Sequence, residues 1–311
     1  MTSGSGGGST GSGGSTGSGG SSRSGGGTPG SGGSTSSGAP GGLRGISRRI
    51  GTEVRRALRD RQDPPADRAL RKRIVADGGR LDPARPSPAV WQAWRDTALQ
   101  SSADSAAAVA EVARCGLPPH PDDPKNWDLL VALGETLERC QPGDRVLEAG
   151  APGYSRYLTW LWMYGFRKLH GIDLVYESEV RHGSIQYEPM DLTKTRFRDG
   201  EFAAVACLSV IEHGVDPRAY VREMARILRP GGVLVTSTDY WCAPLDVAGK
   251  EAYGGPVKVF GPDGIAELVA LAAEVGLEPE RKFDPSCEEA VVHWKRVDLD
   301  YTFANVVLVR R

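Results

Sequence analysis

The sequence lacks the marks of several protein classes. Its five cysteines (Cys115, Cys140, Cys207, Cys242 and Cys287) are scattered, odd in number and never spaced C-x-x-C. That pattern argues against a disulfide framework or a zinc knuckle and fits a reducing, cytoplasmic setting. The strongest apolar run, Leu158 to Phe166, is far shorter than the ~20 residues of a membrane-spanning helix. The N-terminal segment has no apolar core of the secretory-signal kind. His120, His182 and His293 lie far apart without metal-ligand spacing, so no metal is expected. Apolar residues are almost missing from residues 1–42. Of these, 37 are Gly, Ser or Thr, and 19 of the chain's 41 glycines fall there. Such a segment cannot offset an ordering cost of about 1–2 kcal/mol per residue, so it reads as a disordered tail.

Excess charge is missing too: the formal net charge is −1, which gives no sign of nucleic-acid binding. The small total conceals a split. Residues 44–73 carry 11 Lys/Arg against 4 acids, whereas 74–311 carry 26 basic and 35 acidic residues. Within the basic stretch Ile46, Ile50, Val54 and Leu58 recur every four residues, one face of a helix flanked by arginines. A stripe of this kind over 44–59 suits peripheral contact with an anionic membrane surface, or docking on the chain's own acidic remainder.

The chain divides into the tail 1–42, a basic arm and helical region 43–125, and a domain 126–311. Proline runs at Pro64-Pro65, at 82–88 and at 117–121 punctuate the middle part. Ala89 to Val112 is helix-friendly. Asn126 to Arg139 reads as a helix, with Trp127, Leu130, Val131, Gly134 and Leu137 at helical spacing. From 144 onward strands alternate with helices. Strands are expected at 145–149, 169–174, 185–188, 202–208, 232–237, 291–297 and 304–309. Helices are expected at 155–168, from the Asp216-Pro217 cap to Leu228, and from Pro262 to Val275 before Gly276. This alternation predicts an α/β fold with a mostly parallel, doubly wound seven-stranded sheet whose last strand is antiparallel. Its ligand belongs at the carboxyl ends of the first strands.

The residues at those ends carry the chemistry. The first strand runs into Glu148-Ala149-Gly150-Ala151-Pro152-Gly153-Tyr154, where glycines let the backbone approach a ligand. The second ends in Asp173, 25 residues after Glu148, where a carboxylate can accept both hydroxyls of a ribose. Met190-Asp191-Leu192 follows the third, an acid among apolar residues that suits an adenine. The fourth opens into Ser209-Val210-Ile211-Glu212-His213, and Leu228-Arg229-Pro230-Gly231-Gly232 turns into the fifth.

In this order and spacing, residues 126–311 resemble the class I S-adenosylmethionine-dependent methyltransferases, most closely the group called methyltransferase type 11. The resemblance implies a Rossmann-like fold, S-adenosylmethionine as cofactor and in-line methyl transfer. It implies that Glu148, Gly150 and Gly153 line the methionine end, that Asp173 holds the ribose, and that Met190, Asp191 and Leu192 take the adenine. Ser209 through His213 would form the floor between cofactor and acceptor. His213 is the first candidate base and Asp239 the second. Thr238-Asp239-Tyr240-Trp241 and Tyr301-Thr302-Phe303 resemble uncharacterised methyltransferases associated with glycan genes, which implies a small-molecule or glycan acceptor. The helical region 87–140 would form a lid or part of the acceptor pocket. The chain departs from the family pattern at Pro152 and Tyr154, which stand where glycines are usual, and at Ala203, where an aspartate is usual. Those departures imply an alternative, a catalytically degenerate binding protein. A nicotinamide oxidoreductase is disfavoured because Gly150 and Gly153 lack G-x-G-x-x-G spacing.

Overall fold

Short apolar runs bounded by glycine and proline turns build one large sheet. The computed structural model describes residues 65–76, 78, 81–151, 156–252 and 255–311, all within the unit Gly41–Arg311. The tail 1–42 and the basic stripe 44–59 lie outside the described residues. In chain order the elements are α1 (Pro65–Val75), α2 (Pro88–Trp91), α3 (Ser102–Arg114), α4 (Lys125–Arg139), β1 (Arg145–Ala149), α5 (Tyr157–Met163), β2 (Lys168–Ile172), β3 (Val180–His182), β4 (Ile185–Glu188), β5 (Phe202–Leu208), α6 (Pro217–Ile227), β6 (Leu228–Tyr240), β7 (Glu251–Ala252), β8 (Gly255–Pro256), α7 (Pro262–Ala273), β9 (Leu277–Pro279), β10 (Val292–Trp294) and β11 (Leu299–Arg310).

The sheet order is β10-β11-β6-β5-β1-β2-β4-β3, with β9 also on β11. Neighbours from β4 through β6 are parallel, and β11 runs antiparallel to β6. The doubly wound sheet with an antiparallel last strand is therefore present. Its strands number nine rather than seven. β3 adds an antiparallel edge beside β4. The other addition comes from sharing one place. β9 pairs with residues 308–310 of β11 and β10 with 299–301, and Ala98 bridges Ala304 between them. Three short pieces thus cover an edge that one strand would otherwise cover, leaving less of it open to another chain.

Period-2 alternation sorts the strand residues onto two faces. Val146, Ala204, Ala206, Val233, Val235 and Val307 pack in the layer that holds α3, α4 and α5. Leu147, Val205, Cys207, Leu234, Val306 and Leu308 face α6 and α7. α6 starts where Asp216 accepts from the amides of Arg218 (2.9 Å) and Ala219 (3.2 Å), with Pro217 at its first position. The helix expected over 155–168 is shorter. α5 ends at Met163, Gly165 takes φ +95, and Lys168 already begins β2.

α4 is buried along its whole apolar stretch, from Asn126 to Leu137. Trp91 lies so close on Gly134 that a Cβ there would sit 2.3 Å from its ring, so this contact requires glycine. A helix buried on this scale is core and cannot open as a lid. Trp160, Trp162 and Tyr164 are core as well. His170 is packed between Phe197 and Phe202, and burial pushes its imidazole down to about 4.

Cys242 and Cys287 form a disulfide across 45 residues, which corrects the expectation of no disulfide. Tyr240 explains the meeting. Its hydroxyl donates to the Pro285 carbonyl (2.6 Å) and its ring meets Phe283, so the end of β6 and the segment after β9 converge. Spacing along the chain carries no trace of that convergence. Cys115, Cys140 and Cys207 are free and buried.

Candidate functional site

Parallel strands end together, so the residues just past β1, β2, β4 and β5 share one edge of the sheet. Glu148 stands in register with Gly171 of β2 and Ala206 of β5 and is buried. Gly150 follows at φ +80, in the left-handed region. Its amide and that of Ala151 both donate to the Ile172 carbonyl, at 2.7 and 3.0 Å, folding the turn across the end of β2. A side chain at Gly150 would meet Val210 at 2.3 Å, so both backbone and space demand glycine. Gly153 lies outside the described residues.

Asp173 closes β2 at the same edge. Its Oδ1 accepts from the Val175 amide (2.8 Å), and desolvation pushes the carboxyl up to about 6. Met190 and Leu192 are buried in the apolar layer with Ile172 and Ile211. Asp191 stays exposed between them, with Oδ1 accepting from the amide (2.8 Å) and hydroxyl (2.7 Å) of Thr193. The structure therefore brings Glu148, Gly150, Asp173 and Asp191 to one edge and sets Met190 and Leu192 beneath it.

A polar cluster adjoins this edge at the carboxyl ends of β5 and β6. Ser209 takes φ +53 and its amide donates to the Ser237 carbonyl (3.0 Å). Its hydroxyl accepts from the Lys125 ammonium. Ser237 donates to Asp128 Oδ2 (2.6 Å), and Lys125 lies 3.8 Å from that oxygen and 3.6 Å above the Phe303 ring. Glu212 is 2 % exposed and accepts from Thr238 (3.1 Å). Asp239 is 5 % exposed and accepts from the Tyr301 hydroxyl.

Desolvation pushes Glu212 and Asp239 up to about 7, Glu212 adding to the rise of Asp239 and Lys125 opposing both. Burial raises Asp128 in the same way. His213 is exposed at the rim, yet protein surrounds it closely enough to lower its imidazole by desolvation. Asp239 opposes that shift and Lys125 adds to it. A lowered imidazole is neutral near pH 7 and able to accept a proton.

Ser209, His213 and Asp239, candidates from the sequence, lie in this cluster together with Lys125, Asp128, Glu212 as a titrating group, and Tyr301, which the sequence did not single out. Asp128 had a readable signal, a charge inside the apolar stretch Trp127 to Val131. Lys125 had none, since its partner Ser209 lies 84 residues downstream. Among the described residues no cluster of three or more His, Cys, Asp or Glu is arranged to hold a metal. None of the described helices is long and apolar enough to cross a membrane. A concavity of about 460 Å³ lies toward the other end of α4, lined by Ser87, Trp91, Arg114 and Glu138 among others. No strand-end residue lines it, and its Arg114 is engaged with Glu111 (2.7 Å).

Residues 147–236 match the model of a methyltransferase domain family. The chain is similar to a ubiquinone biosynthesis O-methyltransferase of Xanthomonas oryzae pv. oryzae, 37% identical over 71 residues, covering 23% of this chain and 27% of that one. It is also similar to the 27-O-demethylrifamycin SV methyltransferase of Amycolatopsis mediterranei, 33% identical over 119 residues, covering 37% and 43% of the two chains. The chain thus spans less than half the length of either relative. A solved structure of geranyl diphosphate C-methyltransferase from Streptomyces coelicolor aligns with a TM-score of 0.49 at 14% identity, over 88% of this chain and all of that one.

Proposed function

We propose that this chain, which carries a class I S-adenosylmethionine-dependent methyltransferase domain, transfers the cofactor's methyl group to a small-molecule acceptor. The observation that carries the reading is the convergence of two groups of residues. Glu148, Gly150 and Asp173 close β1 and β2, and His213, Glu212 and Asp239 gather at the adjoining ends of β5 and β6. The donor set fits the cofactor. Buried Glu148 suits its ammonium, and Asp173 suits its ribose hydroxyls. Asp191 would serve the adenine, above Met190 and Leu192. Gly150 lets the backbone come close, and Gly153 would do the same.

When bound, S-adenosylmethionine supplies a methyl on a sulfonium, electrophilic without help from the protein. The chain's own residues orient the acceptor and exclude water. For a hydroxyl acceptor, neutral His213 accepts the hydroxyl proton on its imidazole as the oxygen is methylated. Asp239 beside it stabilises the resulting imidazolium. For an amine or thiolate acceptor, positioning suffices. The carbon skeleton of the acceptor, and whether it bears a glycan, belong to the same proposal.

The test is transfer of labelled methyl from S-adenosylmethionine to a panel of phenols, alcohols, amines and thiols. The expected result is label in one class, falling about 10²-fold or more in His213→Ala when that class is a hydroxyl. Cofactor that binds yet labels no acceptor class would count against transfer and favour the binding-protein alternative.

A further inference from the structure

The polar cluster is drawn from four elements, and one cation reaches across it. Lys125 opens α4, where Pro124 stands as the cap without a side-chain hydrogen bond. Its ammonium donates to Ser209 at the end of β5, lies 3.8 Å from Asp128, and sits over Phe303 of β11. Ser209 holds a left-handed backbone and is tied to Ser237 of β6, which in turn is tied to Asp128. Lys125 therefore completes a ring, Lys125–Ser209–Ser237–Asp128, beneath the segment that presents Glu212 and His213. A non-glycine residue at φ +53 persists only where its surroundings hold it, and this ring supplies them.

We propose that Lys125 is a positioning residue of the acceptor site, its ammonium holding the Ser209–His213 segment through Ser209 and Asp128. The inference rests on the acceptor-site reading above. The groups facing that pair come from every packed element. They are Lys125 from α4, His213 from the β5–α6 segment, Tyr301 from β11, and Lys258 from the segment before α7; Asp128 lies beside Lys125, and Asp122 acts on Asp128 and Tyr301. Of the two lysines, Lys125 is the one whose field reaches Asp128, Glu212, His213 and Asp239 together. A nearby opposite charge lowers a carboxyl, so its removal has the reverse effect.

The experiment follows the side-chain carboxyls by carbon-13 NMR across pH in the full chain, with Glu212→Gln and Asp239→Asn to assign them. In Lys125→Met the Glu212 and Asp239 midpoints should rise by about one pH unit or more, and Lys125→Arg should return them toward the native values. Ser209→Ala, which frees the ammonium without deleting it, should give a smaller rise of the same sign. This variant decides the matter should Lys125→Met not fold. The acidic limb of the methyl-transfer pH profile should move with the midpoints. Unchanged midpoints in Lys125→Met, or in Ser209→Ala alone, overturn the inference whatever the transfer assay gives. Shifted midpoints in a protein that transfers no methyl support it and count against the transfer reading alone.

Discussion

Burial raises Asp239 and Glu212 well above the range of free carboxyls even with Lys125 opposing the rise, and this has a consequence for stability. Their ordinary values are 3.8 and 4.5, against about 7 in the folded chain. Between pH 4 and 7 the native state therefore binds more protons than the unfolded state, so stability falls as pH rises through that window. Asp239→Asn removes one of the two groups. Thermal unfolding at pH 5 and pH 8 should show a smaller drop in this variant than in the native chain, and an equal drop would contradict the assignment. The residues at this scale were unequally legible. Ser209, His213 and Asp239 lie within local motifs at strand ends, so their order along the chain suffices to find them. Lys125 and Asp128 reach the same place from a helix that precedes β1, and only tertiary packing brings them there.

At the scale of elements, two features invite mutation. Gly150→Ala would force a side chain onto φ +80 and into Val210, a cost of about 1–3 kcal/mol for the backbone alone. Gly150→Ala with Val210→Ala should recover only the steric part. Melting temperatures of the two variants separate the contributions, and no loss in either would contradict the tight turn. The disulfide Cys242–Cys287 closes a separation of 45 residues, so replacing both cysteines by serine should destabilise the chain by about 2–4 kcal/mol. Reductant should lower the native chain's melting temperature and leave that of the double-serine variant unchanged.

β4 and β5 were legible to the residue: the apolar run of β5 meets Glu201 and Ser209 at its two ends, and Ile185-Gln186-Tyr187-Glu188 of β4 alternates apolar and polar between Ser184 and Pro189. The sharing of one edge by β9, β10 and Ala98 was not, nor was the disulfide. Each depends on which distant segment lies alongside β11 or Tyr240, and neither leaves a periodic signal.

For the whole molecule, the near-zero charge and the excess of glycine both came from adding unlike parts. Residues 1–42 carry 19 glycines, and a chain lacking them should melt at the native temperature and bind cofactor with native affinity. The proposed cofactor site lies at the edge where β1, β2, β4 and β5 end. Calorimetric titration of the full chain with S-adenosylmethionine, alongside Asp173→Ala, tests it most directly. One cofactor per chain is expected, with an affinity at least about tenfold weaker in the variant, the loss of a hydrogen-bonded carboxylate costing about 1.5–3 kcal/mol. No binding by the folded native chain, or equal affinity in Asp173→Ala, would contradict it.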